Sequence, residues 1–378
     1  MARRPAPTVE LNSIIVKLAG LCNLNCSYCY VYNHADKTYL GRPRFMSDEV
    51  FDAALERVRA YCEPRRGRRM QLTFHGGEPT LVGPKRFDEL ARRAEKALGA
   101  RLGGLCIQTN ATLIDAEWID VFHSHAVNVG VSIDGPREIH DAARVDHAGR
   151  GSYEATVSGL RRLQRGGLSP SVICVVNPNH SGVAVYRHLR SLGVMRMNFL
   201  LPDVTHDSRA LFYPTRQPTP VADYLIPIFD AWLEEDDPDV EVRIFRGLIR
   251  MLMGGEGETD AFGNLLMAYL VVETDGSIEA LDALRVCEDG INRSGLNVLR
   301  NGFNDLRLGL PLVYRAVHEG FPLSSTCRAC QERDVCGGGY LPQRYSRANG
   351  FDNPSVWCAD ILKLLAHIRR TISQDAIA

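Results

Sequence analysis

Three closely spaced cysteines near the amino terminus constrain this chain more than any other feature of its sequence. Cys22, Cys26 and Cys29 follow a short apolar run, residues 13–18, at a C-x3-C-x2-C spacing. A loop can turn three thiolates this close together towards one point in space. Three soft ligands leave one position of a four-ligand site open, which suits an iron–sulfur cluster with one uncapped iron. A three-thiolate zinc site is the competing interpretation, and a redox disulfide is disfavoured because it needs only two cysteines.

The composition is that of a soluble globular protein with no electrostatic preference for nucleic acid. The 378 residues are 45% hydrophobic and 24% charged, and the formal net charge is −1. No apolar run reaches the length of a membrane span, and residues 1–7 are too short for a signal peptide. We therefore expect neither a nucleic-acid nor a membrane partner, and a cytoplasmic location. In that reducing compartment the eleven cysteines, where grouped, indicate metal ligands rather than disulfides.

Short β-branched runs alternate with helical stretches over the first half of the chain. The predicted strands are residues 13–18, 70–74, 104–109, 127–133, 171–176 and 195–200. The predicted helices are residues 47–62, 84–98, 115–123, 152–164 and 180–192. Six strands separated by helices imply an α/β fold with a parallel, right-handed sheet, and six such units make a partial (β/α)6 barrel. Ligand sites of such sheets lie at the carboxyl ends of the strands.

The alternation stops after residue 203, which suggests a domain boundary there. We predict an amino-terminal tail (1–12), the partial barrel (13–203), a linker with helices at 221–235 and 243–253 (204–264), and a second domain (265–378). The second domain begins with a hairpin signal at residues 271–281, centred on Asp275-Gly276.

Polar residues follow several predicted strands at the edge where a ligand site is expected. His75-Gly76-Gly77-Glu78-Pro79 follows the second strand, and the third and fourth strands are followed by Gln108, Asn110 and Ser132. These side chains suit a ribose, a carboxylate or an adenine edge, although Asn, Gly and Pro are also ordinary turn residues.

The cysteine loop, with Tyr28 before its last cysteine, and the Gly76-Gly77-Glu78 turn together resemble the radical S-adenosylmethionine (SAM) superfamily. The resemblance implies a [4Fe–4S] cluster on the loop and SAM as cofactor, whose amino group the turn holds. It also implies SAM contacts from the residues Tyr28, Gly76, Gly77, Glu78, Gln108, Asn110, Ser132 and Arg144. Residues 132–153 resemble the maturases of anaerobic sulfatases, in which Ser132 would contact SAM. Arg144 could pair with the SAM carboxylate through a charge-assisted hydrogen bond.

A second group of cysteines lies near the carboxyl terminus. It comprises Cys327, Cys330, Cys336 and Cys358, and four thiolates suit a fully ligated cluster or a structural zinc. The group resembles the SPASM extension of peptide-modifying radical SAM enzymes, which has seven cysteines. Two SPASM positions are occupied here by Leu281 and Tyr340. The resemblance therefore implies one auxiliary [4Fe–4S] cluster, two clusters in all, and no inner auxiliary cluster.

Asp282 directly follows the hairpin position at which sulfatase maturases have a cysteine and then an aspartate proposed as catalytic base. The resemblance thus makes Asp282 the candidate catalytic residue. A carboxylate in a semi-buried cavity with a raised pKa could accept a proton as a substrate carbon is oxidised.

The resemblance also implies the substrate class. Residues 274–284, 336–341 and 353–358 look like the cyclophane-forming peptide maturases, so we expect a C–C crosslink between an aromatic side chain and a nearby β-carbon of a ribosomally made precursor peptide. The alternatives are formylglycine formation, thioether formation, epimerisation and, outside enzymes, a zinc-binding interaction protein. The expected partners are the precursor peptide and an external electron donor such as flavodoxin or ferredoxin. Only about a dozen residues precede the first strand, so leader recognition would use a sheet edge or a separate leader-binding protein.

Overall fold

The computed structural model describes residues 10–214, 216–257, 259–263, 266–310, 312, 315 and 319–375. It divides into two compact units, each assembled from several segments of the chain. Unit 1 comprises Met1–Ser132, Arg144–Pro170 and Leu266–Gly320, and unit 2 comprises Ile133–Ala143, Ser171–Leu265 and Phe321–Ala378. These units are not consecutive in sequence, and the four-part division predicted above stays a prediction.

The described strands and helices alternate over the first half of the chain, as the sequence predicts. In chain order the strands are β1 (Ser13–Ala19), β2 (Met70–Gly76), β3 (Leu102–Thr109), β4 (Asn128–Ser132), β5 (Ser171–Val175), β6 (Arg196–Leu200), β7 (Glu241–Val242), β8 (Tyr269–Val272) and β9 (Ile278–Glu279). The helices are α1 (Asp48–Cys62), α2 (Pro84–Leu98), α3 (Ala116–Ser124), α4 (Arg137–Ala143), α5 (Tyr153–Arg165), α6 (Gly182–Ser191), α7 (Arg209–Phe212), α8 (Pro220–Glu235), α9 (Arg243–Leu252), α10 (Ser325–Ala329), α11 (Arg333–Cys336) and α12 (Cys358–Asp375). The six predicted barrel strands and five helices are confirmed, with ends that shift by at most two residues.

The sheet of unit 1 is parallel except at one edge. Its strands follow the order β4-β3-β2-β1-β8-β9, and only β8 and β9 pair antiparallel. Helices α1 and α2 cover one face of this sheet. Phe74 of β2 packs against Phe51 of α1 and Phe87 of α2, with ring centroids 6.4 and 4.8 Å apart. All three rings are fully buried, and each contributes about 1.5–3 kcal/mol of burial free energy.

Alternation along the strands sends a second set of side chains to the opposite face of the sheet. In β2, Leu72 and Phe74 are buried on the helix side, whereas Thr73 and His75 are only partly buried. Residues that pair in register on adjacent parallel strands point to the same face, so Lys17 of β1 joins His75 there. This face, free of the α1 and α2 packing, carries the polar side chains at the carboxyl ends of the strands.

The hairpin β8–β9 is confirmed, and it belongs to unit 1. Strand β8 pairs parallel with β1, with Ser13 opposite Tyr269 and Val16 opposite Val272. The sheet of unit 1 therefore gains two strands from the second half of the chain. Sequence pattern alone did not reveal this pairing because β8 and β1 are separated by some 250 residues.

Unit 2 has a smaller parallel sheet, in which β6 lies between β5 and β7. Its helices α8 and α12 lie side by side, and the Asp360 carboxylate on α12 accepts hydrogen bonds from the backbone N–H groups of Val221 and Ala222, at 2.7 and 3.0 Å. These two N–H groups belong to the first turn of α8, where no intrahelical partner exists. Among the described residues no helix is both long and apolar enough to cross a membrane. The predicted α/β class with parallel sheets is confirmed.

Candidate active site

The cysteine loop follows β1 directly, at the carboxyl edge of the unit 1 sheet. Tight turns shape it: Cys29 N–H donates to the carbonyl of Cys26 at 3.0 Å, and Asn33 N–H donates to that of Cys29 at 2.9 Å. Leu24 N–H donates to Cys22 Sγ at 3.3 Å. Each cysteine of the loop is buried or partly buried.

The adjoining residues 144–147 clamp this loop from one side. Asn25 N–H donates to the carbonyl of Val145 at 2.7 Å, and His147 Nε2 lies 2.9 Å from the carbonyl of Cys22. Arg144 is buried and donates from Nη1 to the Tyr28 hydroxyl at 2.7 Å. Tyr28 and Arg144, which are both predicted to contact SAM, are thus hydrogen-bonded to each other. Through this bond Arg144 holds the tip of the cysteine loop.

The Gly76-Gly77 turn packs against the start of the same loop. Gly77 N–H donates to the carbonyl of Ala19 at 2.7 Å, and Glu78 N–H donates to that of Leu21 at 2.8 Å. A Cβ on Gly77 would lie 2.0 Å from the Leu21 carbonyl oxygen, and Gly76 has a positive φ of 146°. Glycine is therefore required at both positions by the approach of the protein's own backbone, whatever ligand the turn also contacts.

Glu78 lies beneath the turn and is almost completely buried. Its carboxylate accepts hydrogen bonds from Thr80 N–H at 3.0 Å, Thr80 Oγ1 at 2.6 Å, Thr109 Oγ1 at 2.7 Å and Asn110 N–H at 2.8 Å. Burial raises the pKa of Glu78 despite these four donors. A carboxylate offers about four acceptor positions, so the protein itself uses most of the capacity that we assigned to the SAM ammonium. Glu78 ties the end of β2 to the end of β3.

A residue that follows β3 is hydrogen-bonded to the cysteine loop, and the carboxyl ends of β3 and β4 are hydrogen-bonded to each other. Asn110 Nδ2 donates to Asn23 Oδ1 at 2.8 Å and lies 4.0 Å from Cys22 Sγ. Gln108 Nε2 donates to Ser132 Oγ at 2.9 Å. The predicted contacts from β3 and β4 thus lie at one edge of one sheet, beside the cysteines. Whether they touch SAM stays a prediction.

Asp282 lies at the same edge of unit 1, because β8 and β9 extend its sheet. Its carboxylate accepts hydrogen bonds from Tyr30 Oη at 3.1 Å and Arg285 Nε at 3.1 Å, and forms an ion pair with Lys17 Nζ. Burial raises the pKa of Asp282, but the charges of Lys17 and Arg285 outweigh burial and hold the pKa well below its usual range. The expectation of a raised pKa is therefore wrong: Asp282 is buried, as predicted, but it is a stabilised anion.

Two residues of this edge were missed by sequence reasoning. Lys17 and His75 pair in register on β1 and β2, and Gln108 follows one residue beyond the β2–β3 pair of Phe74 and Ile107. Lys17, His75 and Gln108 therefore form a polar row across three adjacent strands, with Ser132 hydrogen-bonded to its end. The available signals were a lysine inside the apolar run 13–18 and a histidine at the end of another.

A buried ion network supports Asp282 from the hairpin side. Arg285 is 1% exposed and also pairs with Asp36, Glu273 at 2.7 Å and Glu279. Arg42 pairs with Glu273 at 2.9 Å and with Glu279. Burial raises the pKa of Glu279 to about 7, against the opposing charge of Arg285. Oxygens of Glu273, Glu279 and Asp282 lie within 4.8 Å of one another, and the arginines supply the cations that such a cluster needs.

The donor set of the cysteine loop fits a cationic metal cluster. Burial, together with the nearby Glu78, Cys26 and Cys29, raises the pKa of Cys22 to about 12, although the Leu24 N–H lowers it. Burial and Cys26 likewise raise the pKa of Cys29. Clustered thiols of this kind ionise only when a strongly positive partner binds them. The Leu24 N–H and the Asn110 side-chain amide both approach Cys22 Sγ, and such donors stabilise a sulfur that carries negative charge.

The four carboxyl-terminal cysteines are brought together in unit 2. Cys327 lies in α10, Cys336 ends α11 and Cys358 begins α12, and Cys330 N–H donates to the Cys327 carbonyl at 3.2 Å. Burial, together with the three other cysteines of the group, raises the pKa of Cys336 to about 12. This second donor set also fits a metal cluster.

Left-handed glycines shape the turn after Cys336. Gly337, Gly338 and Gly339 have φ values of 62°, 83° and 75°, a region open to glycine at little cost. Gly339 N–H donates to the Cys336 carbonyl at 2.9 Å. Side chains other than cysteine stand at the two SPASM positions noted above: Leu281 is buried among apolar groups of unit 1, and Tyr340 follows the glycines in unit 2.

Comparison with known proteins agrees with this geometry. Residues 16–190 match the family model of the radical SAM superfamily. The cysteine-type anaerobic sulfatase-maturating enzyme of Clostridium perfringens is 27% identical over 357 residues, which cover 92% of this chain and 93% of the relative. The serine-type enzyme of Bacteroides thetaiotaomicron is 26% identical over 96% of this chain and 91% of its own.

Solved structures support the fold. Native anSMEcpe with bound AdoMet superposes with a TM-score of 0.80 at 22% identity, over 96% of this chain and 98% of that one. SuiB of Streptococcus suis bound to its precursor peptide SuiA superposes with a TM-score of 0.60 at 14% identity, over 93% and 76%. This chain therefore carries a radical SAM domain over residues 16–190, and is similar over nearly its whole length to anaerobic sulfatase-maturating enzymes.

Proposed function

We propose that this radical SAM enzyme is a maturase that oxidises a side chain of a peptide or protein. Its relatives are named for the maturation of sulfatases. Similarity to both cysteine-type and serine-type enzymes over more than nine-tenths of the chain carries the proposal. The relative anSMEcpe has been solved with a bound peptide, which supports a peptide as the substrate class. An external electron donor and a separate leader-binding protein stay predictions.

The proposed cofactors are SAM and two [4Fe–4S] clusters, one on the cysteine loop and one on the second cysteine group. Cys22, Cys26 and Cys29 would hold the first, and the second would be held by Cys327, Cys330, Cys336 and Cys358. Bound together, reduced cluster and SAM supply a carbon-centred radical that removes a hydrogen atom from the substrate. The chain's own part is to hold the loop rigid through Arg144 and the Gly76-Gly77 turn, and to exclude water from the polar row.

Asp282 is the proposed catalytic carboxylate. After hydrogen-atom removal, a two-electron oxidation must release one more electron and one proton from the substrate. Asp282 lies beside the polar row and is anionic at neutral pH, so it favours positive charge where the proton arrives. The Lys17 and Arg285 contacts fix its position.

A second candidate is the C–C crosslink of the cyclophane-forming maturases. The observation in its favour is that Leu281, and not a cysteine, precedes Asp282 in the hairpin. The buried Arg285 and the carboxylates paired with it lie around this part of the hairpin. A chain without the inner auxiliary cluster departs from the seven-cysteine pattern that sulfatase maturases share.

Product analysis separates the two candidates. The enzyme, reconstituted anaerobically with iron and sulfide, is incubated with SAM, a reductant and synthetic sulfatase peptides that carry cysteine or serine at the modified position. We expect an aldehyde product that a hydrazide reagent labels. A product that has lost two hydrogens, resists the hydrazide and fragments as a ring would instead establish a crosslink. If only 5′-deoxyadenosine forms with sulfatase peptides and with aromatic precursor peptides, the maturase proposal is wrong.

The role of Asp282 is tested with Asp282→Asn and a matched variant from the same hairpin. We expect Asp282→Asn to cleave SAM but to lose at least about 100-fold in product, within the usual range for a proton-transfer group. Asp275→Asn is the control, because Asp275 lies at the rim of the ion network, 3.9 Å from Arg42, and its turn hydrogen bond to Ser277 N–H survives the change. Wild-type product from Asp282→Asn would rule out the assignment.

A further inference from the structure

His75 belongs to the polar row, and the mechanism above gives it no role. It lies on the face of β2 opposite the α1 and α2 packing, in register with Lys17. Protein surrounds most of the ring, yet the side chain is only partly buried. Its Nδ1 is inaccessible to water and has no side-chain hydrogen-bond partner among the described residues, and the ring interacts with the backbone of Gly76. A purely structural histidine at this depth normally satisfies its ring nitrogens, as His125 does with Glu95 and Asp88 at 2.9 Å each.

The charges around His75 keep its imidazole neutral in the resting protein. Burial and, to a lesser extent, the positive charge of Lys17 together lower the pKa of His75 to about 4, although Asp282 and the backbone of Gly76 act in the opposite direction. A neutral imidazole retains one ring nitrogen that can accept a proton. Asp282, in contrast, accepts three hydrogen bonds or ion pairs already, from Lys17, Tyr30 and Arg285. Proton uptake by Asp282 must break favourable ion pairs, and uptake by His75 breaks none.

We propose that His75 is a catalytic residue that accepts the substrate proton, and that Asp282 remains anionic beside it and stabilises the resulting imidazolium. The inference rests on the proposed function and deepens it. The bound cofactors would take one hydrogen atom and one further electron from the substrate, and one proton would pass from the substrate to a ring nitrogen of His75. The substrate would thereby lose two protons and two electrons in total.

Lys17 has a defined part in this arrangement. It pairs with Asp282 and lies next to His75, so the resting Lys17–Asp282 pair is neutral overall. When His75 gains a proton, the Asp282 carboxylate stabilises two positive charges, those of Lys17 and of the imidazolium. Asp282→Asn would remove that counter-charge and leave Lys17 and the imidazolium to repel each other. The two substitutions, at His75 and at Asp282, should therefore impair the same step.

The test follows hydrogen transfer and product separately in one reaction. A sulfatase peptide deuterated at the β-carbon of its cysteine or serine is mixed with the anaerobically reconstituted enzyme. Deuterium in 5′-deoxyadenosine reports hydrogen-atom removal, and the aldehyde reports completion. We expect His75→Gln and His75→Ala to transfer deuterium within about twofold of wild type while the product falls about 100-fold or more. The control His123→Gln, at an exposed histidine of α3, should match wild type in both.

The double variant His75→Gln with Asp282→Asn separates a shared step from two independent ones. Residues that act as a unit are not additive, so we expect the double variant to lose no more product than the worse single variant. Losses that multiply would overturn the proposal, as would wild-type product per 5′-deoxyadenosine in His75→Gln. Deuterium transfer that falls in step with product would overturn it too, since His75 would then serve substrate or SAM placement. If wild type transfers no deuterium from the peptide, the proposed function fails together with this inference.

Discussion

Replacement of Arg285 by methionine tests whether the buried ion network holds the hairpin in place. Arg285 is 1% exposed and its guanidinium pairs with four carboxylates, those of Asp36, Glu273, Glu279 and Asp282. Methionine fills much of the same volume but leaves these anions without their shared cation. Removal of one partner of a buried ion pair costs about 3–5 kcal/mol, so we expect Arg285→Met to lower the free energy of unfolding by that amount at neutral pH.

The loss should depend on pH with a definite sign. Without Arg285, the folded-state pKa of Glu279 rises further above the unfolded value. A raised folded pKa means stability that is present at low pH and lost as the pH rises through the folded pKa. Because the pKa of Glu279 is already about 7, the variant should lose less stability at pH 6 than at pH 8.5. Each pKa unit adds about 1.4 kcal/mol to the loss at pH values above the folded pKa.

Urea unfolding at the two pH values measures the effect, with circular dichroism as the signal. Hydrogen exchange read by mass spectrometry then locates it, and we expect the loss of protection to centre on β8, β9 and the paired β1. Arg59→Met is the control, because Arg59 is exposed and pairs only with Glu56 one helical turn away, and its unfolding midpoint should not shift. A destabilisation below about 1 kcal/mol in Arg285→Met, or one equal at both pH values, would refute the reasoning.

Two further predictions concern the cysteine loop and its support. Gly77→Ala should abolish SAM cleavage, because the added Cβ would meet the Leu21 carbonyl oxygen at 2.0 Å and displace the loop. The control is Gly247→Ala in α9, which should cleave SAM like wild type because its added Cβ meets nothing within 4 Å. Alanine at all three loop cysteines, Cys22, Cys26 and Cys29, should abolish SAM cleavage and roughly halve the bound iron, while the visible absorbance of the second cluster remains. Loss of all iron would contradict separate cluster sites.

The sequence predicted most of the local structure because its signals are local. Ser47 illustrates this: its side chain accepts a hydrogen bond from Val50 N–H at 3.2 Å, and Asp48 and Glu49 stand in the first turn of α1, as the pattern indicated. The cysteine loop and the glycine turn were predicted as neighbours because both follow parallel strands, whose carboxyl ends share one edge.

What the sequence could not predict depends on pairing between distant segments. The pKa of Asp282 was predicted in the wrong direction because Lys17 becomes its partner only when β8 lies beside β1, and because the nearby Arg285 was overlooked. Lys17 and His75 were overlooked for the same reason, since register across β1 and β2 decides that they share a face. Glu78 was predicted to contact SAM, whereas its carboxylate accepts four hydrogen bonds from within the protein. The donors are two threonines and a backbone N–H, and no sequence motif identifies them.

The pairing of β8 with β1 also has a consequence for how the protein can be made and recombined. On the ribosome, the first strand must wait for more than two-thirds of the chain to emerge before its second neighbour is available. Until then one edge of β1 is open to other strands, and Lys17 has no carboxylate partner from the hairpin. The boundary near residue 203 is therefore not a safe point for exchanging halves between relatives. A chimaera joined there would inherit β1 from one parent and its edge partner from the other, and both would have to match along Ser13–Val16 and at Lys17 for the polar row to assemble.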